Sequence, residues 1–278
     1  MSQPLRPSHL IKPKTGPDDP ELQETLLEGL QQVAPDDILQ LSRELQTRRQ
    51  RLLPLLATLV SGAPVEASTT SEIATAVTAT RRQAEAAHKL LTRLVGCQEL
   101  SILLAGELSE PFRLSPEHGT GPVEERLRTF LMACGQTDRR LALELATGLL
   151  HLAAPRRYWL WTRWLWDIQH GTGILPLLAS STRALQGDDI GMQYRQLGAV
   201  IAMGTELGRN SGLLPRELAD DPESGPFATD AFLAIAYSIY LYGITNWRLS
   251  REFNRLLPSL PDLARRLLGL PRPALTIG

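Results

Sequence analysis

The chain has 278 residues, 43% of them hydrophobic, with a formal net charge of −1 and a pI near 6.5. That hydrophobic content is enough for a sizeable core, and with so little net charge it excludes an intrinsically disordered chain. No overall basic field exists to hold nucleic acid through its phosphates, and two cysteines, Cys97 and Cys134, are too few for a disulfide framework. A reducing cytoplasm and no nucleic-acid partner are therefore expected.

Residues 1–20 carry five prolines and no apolar run of signal-peptide length, so they read as a flexible Pro-rich arm before a single large helical domain over 21–270. Only three of the 29 basic residues are lysines, a usage that fits a GC-rich bacterial gene. Pro20 opens a first helix, and Pro35 with Asp36 and Asp37 opens a second toward Leu59, interrupted or kinked at Pro54. A Ser/Thr cluster then starts a segment that ends at Gly96. Along it Ile73, Val77, Thr80, Ala84, Ala87, Leu91 and Leu94 recur at spacings of four and three. This predicts one helix with a narrow apolar seam.

Residues 97–122 hold a short apolar run compatible with strand or helix, then loop chemistry, and a subdomain break is expected there. Helices resume over 123–135 and over 137–153, the second with Thr137 as its N-cap. Pro155 starts a predicted helix ending at Gly171. Further helices are expected around 174–187, 190–208 and 228–256, and the Arg-rich DLARRLLGL closes the fold before a short tail, 271–278. With no convincing alternation anywhere, the fold class is all-α, a multi-helix bundle-like protein with one long central apolar helix near the C-terminus. Ala231 to Trp247 is free of formal charge, but 17 residues is the bottom of the spanning range, and the reading is a helix enclosed by others in a soluble core.

Residues 158–166 (YWLWTRWLW) hold four of the five tryptophans. At about 100° per residue, Tyr158, Leu160, Trp161, Trp164, Leu165 and Ile168 form one core-facing side. Trp159 and Trp166 fall opposite, beside Arg163 and near Arg156. Two tryptophans with arginine have the composition of a binding hot spot, so these four residues are the candidate partner-binding surface.

The common nucleotide, hydrolase and zinc motifs are missing. HGTG at 118–121 and 170–173 reads as a glycine-terminated turn. Glu85-x-x-His88 and Asp167-x-x-His170 have the spacing of dimetal sites in helical bundles, with Glu144 or Glu28 to complete a set, although Glu85 points off the seam. His151, in an apolar helix, reads as a buried histidine with a backbone partner. Tyr237, Tyr240, Ile244 and Trp247 form a stripe that reads as core. Five Arg-Arg pairs (48–49, 81–82, 139–140, 156–157, 265–266) read as solvated faces or anchors for a partner's carboxylates.

The expectation is a non-catalytic helical interaction protein, an accessory, assembly or scaffold subunit of a bacterial cytoplasm. Its partner is another protein or further copies of itself, and it needs no cofactor. The alternatives are a helical metal- or apolar-ligand-binding protein or enzyme with a His/aromatic pocket, and a protein held peripherally at a membrane surface by basic residues 248–272.

Overall fold

The computed structural model describes residues 20–61, 63–78, 80–104, 106–108, 122–179, 182–246 and 258–271. All but the last residue of the Pro-rich arm, the first HGTG, most of the expected break within 97–122, Trp247, residues 248–257 and all but the first residue of the tail lie outside them. The described residues form twelve α-helices and no strand; a single isolated bridge joins Asp167 and Thr172. The protein is all-α.

The first helix, α1, is Pro20–Leu30, and α2 is Pro35–Val60 with Asp36 and Asp37 in its first turn. α2 continues through Pro54, which is exposed, so the ladder bond it cannot donate is missing on the side open to water. The single helix expected over 67–96 is instead two, α3 (Ala67–Ala76) and α4 (Arg81–Leu94), packed on each other. The first ends at Ala76, followed by the β-branched Val77 and Thr78. Thr80 caps the second through its hydroxyl, which accepts from the Gln83 N–H at 3.2 Å and donates to Gln83 Oε1 at 2.9 Å. Thr80 is thus an exposed cap rather than a seam residue.

The apolar run after Gly96 is helical, α5 (Gln98–Leu104). α6 is Val123–Ala133 and α7 is Arg139–Ala153. Asp138, one residue after the expected cap, accepts from Arg140 N–H, while Thr137 donates to Cys134 O. The segment 174–187 gives only the short α8 (Ile174–Leu178) and a 3-10 turn, Thr182–Leu185. α9 spans Ile190–Asn210, α10 Arg216–Ala219, α11 Gly225–Asn246 and α12 Leu260–Leu267.

α11 lies against α1, α2, α8, α9, α10 and α12, and Ala231 to Ala236 are buried without interruption, so every face of those turns is covered. None of the described helices is long and apolar enough to cross a membrane. α2 is the second hub, touching α3, α5, α7, α11 and α12. Two of its arginines close other helices: Arg48 donates to Leu268 O and Gly269 O after α12, and Arg49 to Leu152 O and Ala153 O at the end of α7. Arg265 of α12 is buried and forks onto Glu44 of α2, with one branch at 2.7 Å. These members of the Arg-Arg pairs are structural ties, not solvated faces.

Candidate functional site

The helix expected after Pro155 does not form. Residues 154–173 are a strap of turns and extended backbone laid across α7, and the reason lies in α7 itself. Along an otherwise apolar helix Glu144, Thr147 and His151 are buried at spacings of three and four, hence on one face. Each takes a backbone group of the strap, running antiparallel to it. His151 Nδ1 donates to Tyr158 O at 2.7 Å, Thr147 Oγ1 accepts from Trp161 N–H at 3.2 Å, and Glu144 Oε1 accepts from Arg163 N–H at 3.1 Å. From the other side Tyr194 of α9 uses one hydroxyl twice, accepting from Trp159 N–H at 2.7 Å and donating to Trp159 O at 2.9 Å. With its polar backbone met by side chains, the strap gains nothing by coiling into a helix.

Trp159 packs on α9 where Gly198 leaves room: a Cβ there would lie 2.3 Å from its indole Nε1. Trp161 Nε1 donates to Trp166 O at 3.0 Å, and Ile174 and Leu175 N–H return to Trp164 O and Leu165 O. The partner-binding surface drawn on a helical wheel is therefore corrected. Trp166 is 5% exposed, Trp159 is half-buried, and only Arg156 and Arg163 are exposed, so the two indoles do not share an open face. Ile168, placed in the core by the same wheel, is 42% exposed.

Two buried ionic groups anchor the strap's beginning. Glu107 accepts from Arg126 at 3.0 Å, from Arg157 at 2.9 Å and from the Tyr158 hydroxyl, while Arg126 also donates to Tyr158 Oη at 2.8 Å and to Leu103 O. Glu107 and Arg126 are both buried, and such a pair holds only because its donors and acceptors are nearly all matched. On α11, Asp230 Oδ2 lies 2.7 Å from His151 Nε2. Since Nδ1 must carry a proton for the Tyr158 carbonyl, a proton on Nε2 makes an imidazolium–carboxylate pair. Burial works against that cation, but the Asp230 charge and hydrogen bond outweigh it and raise the His151 pKa. Beside the pair is a cavity of about 30 Å³, room for one water and far too small for a substrate.

Glu144 stands out electrostatically. Its second oxygen accepts from Gln83 Nε2 of α4 at 3.0 Å, and its nearest cation, Arg163 Nε, is 3.8 Å away and half in solvent. Burial without a close counter-ion pushes its pKa up to about 7. Around it are Asp138, Arg140 and Arg163 in loose pairs of 3.6–3.9 Å, with Asp167 3.8 Å from Arg140.

The metal candidates do not converge. Glu85 pairs with Arg81 on the exposed side of α4, and His88 Nδ1 meets Thr70 Oγ1 at 3.0 Å. Asp167 caps its own turn, accepting from Gln169 and His170 N–H and meeting His170 Nδ1 at 2.9 Å. Burial opposes ionisation of Asp167, but the His170 hydrogen bond and charge win and hold its pKa below the usual value. Glu28 is exposed on α1. Among the described residues no group of three or more His, Cys, Asp or Glu side chains could hold a metal ion.

The strap's far turn, the 3-10 turn and the start of α9 enclose an open groove of about 510 Å³. Trp166 and Leu185 are its buried apolar lining, Ile168 (42% exposed) and Met192 (40% exposed) present apolar atoms to solvent, and Gln186, Asp188 and Gln193 supply the polar groups. Sequence reasoning missed this groove and the strap's clamps, Thr147, Tyr194, Glu107 and Arg126. The one signal available was the polar triplet 144, 147, 151 inside an apolar helix. No protein-family model, no curated protein and no solved structure matches the chain.

Proposed function

We propose that this chain is a non-catalytic helical interaction protein, an accessory or scaffold subunit of a bacterial cytoplasm, and that it receives apolar side chains of a partner protein in the groove beside the Trp strap. The observation that carries the reading is a contrast between its polar and apolar sites. The buried titratable groups that hold the strap are already engaged: Glu144 and His151 each hold a backbone group of it and a second side chain, Glu107 accepts from the side chains of Arg126, Arg157 and Tyr158, and the cavity beside His151 admits one water. The open groove, by contrast, offers Ile168 and Met192 over a floor of buried Trp166 and Leu185, with a thin polar rim. Aromatic and methionine side chains are the residues interfaces favour at their centres, and a methionine adapts its shape to what arrives.

The test is a double substitution, Ile168→Glu with Met192→Glu, at positions already facing water. The wild type is expected to capture a protein partner in pull-downs, and the variant to keep the wild-type unfolding midpoint and lose that partner. A wild type that captures none, or a variant that keeps the partner, speaks against the reading. The groove's volume also lies in the range of small-molecule pockets, which supports a second reading as an apolar-ligand binder. Organic mass above the 30.7 kDa chain in a native spectrum, lost in the same variant, would favour it.

A further inference from the structure

We infer that two copies of this chain associate through α9, antiparallel about a two-fold axis between Val200 and Ile201. The inference goes beyond the groove reading and concerns a different surface, which meets the groove only at Met192.

The buried side of α9 is defined by Tyr194, Leu197, Gly198, Ile201, Gly204 and Gly208. On the opposite side Arg195, Ala199, Ala202 and Glu206 are exposed at spacings of four, three and four, the repeat of a helix-pairing seam. Met192 and Met203, 40% and 55% exposed, lie beside it, so the exposed apolar surface covers about 16 Å of the helix, from 192 to 203, with Arg195 set into it.

The sequence of this seam is its own complement. Turned end for end about its midpoint, Arg195 falls opposite the partner subunit's Glu206, and Ala199 opposite the partner subunit's Ala202. Alanines at the axis let two helices approach closely, and each Met203 then covers the other copy's alanines. Arg195 already pairs with Glu124 at 2.6 Å and Glu206 with Arg209 at 2.6 Å. The juxtaposition thus forms a chain of alternating charge, Glu124, Arg195, the partner's Glu206, the partner's Arg209, repeated at the other end of the seam. A closed two-fold contact uses the same patch on both copies, which is what this pattern provides. A contact one helix wide lies at the small end of specific interfaces, so the expected Kd is on the order of 10–100 µM.

The experiment is native mass spectrometry and sedimentation of the full chain over a concentration series, with Ala199→Glu, Ala202→Lys and their equimolar mixture. Both positions are exposed and both new residues favour helix, so unchanged circular dichroism is the control. The wild type is expected to form dimers as concentration rises, and each variant alone to dimerise at least ~10-fold more weakly. The mixture is expected to recover a heterodimer, because only there does a glutamate face a lysine. A wild type that stays monomeric, a dimer untouched by either variant, or a mixture no stronger than its components would overturn the inference. Ile168 lies outside the seam, so a wild type that stays monomeric yet captures a protein that Ile168→Glu alone loses leaves the groove reading standing, and the two fail separately.

Discussion

Replacing Glu144 with glutamine is expected to stabilise the protein at neutral and alkaline pH, and to remove part of its pH dependence. In the folded chain the Glu144 pKa rises from an ordinary 4.5 to about 7, chiefly through burial. A raised pKa means the folded state holds the proton more tightly than the unfolded one. Stability from this group is therefore full below about pH 4.5 and lost as pH climbs through 7. At 1.36 kcal/mol per unit, keeping an ionised Glu144 in place above pH 8 costs about 3 kcal/mol. Glutamine retains an oxygen for Arg163 N–H and carries no charge, while Gln83 turns its amide to offer oxygen instead of nitrogen. Urea unfolding followed by circular dichroism at pH 5, 6, 7 and 8 reads the effect. The two proteins should be similar at pH 5, and the variant ahead by about 2–3 kcal/mol at pH 8. Any slope left in the variant above pH 6.5 belongs to His151, whose raised pKa acts in the same direction. Parallel curves from pH 5 to 7 would refute the reasoning, because they would mean that Glu144 is solvated or fully paired.

Gly198→Ala should drive Trp159 off α9, since the new methyl group would meet the indole at 2.3 Å; a loss of about 1–3 kcal/mol by thermal unfolding is expected. Tyr158→Phe removes the hydroxyl between Arg126 and Glu107 and should cost about 1–3 kcal/mol, visible as a lower urea midpoint. Asp230→Ala leaves His151 without its buried counter-charge, and a loss of about 3–5 kcal/mol is expected, shrinking as pH rises and the imidazole becomes neutral. That trend can be followed by repeating the urea titration at pH 6 and pH 9.

Helix starts were legible where punctuation is local. Pro35 with two aspartates marks α2, and α6 and α9 start at Val123 and Ile190, where the sequence places them. The Thr80–Gln83 cap was hidden, because an unbroken apolar spacing on both sides drew Thr80 into a seam and concealed the end of α3 at Ala76. The strap was not legible, because the residues that forbid its helix lie elsewhere. The stretch 158–166 has helix-like spacing, yet its backbone is claimed by Glu144, Thr147, His151 and Tyr194, up to 35 positions away. The partner surface failed with that helix, since burial of Trp166 follows from the strap's turn and not from a wheel. Composition alone excluded disorder, and of the polar triplet on α7 the sequence offered Glu144 as a spare metal ligand and His151 as a buried histidine, with nothing to join them.

Four of the five tryptophans of the chain sit in one irregular segment, within nine residues of one another, and at least one indole has a fixed backbone acceptor. Helical circular dichroism is almost blind to such a segment, whereas indole emission comes mainly from it. The protein therefore carries two independent optical readouts, one for its helices and one for the strap. A ligand, partner or pH change that loosens only the strap will red-shift the emission while the helical signal stands still.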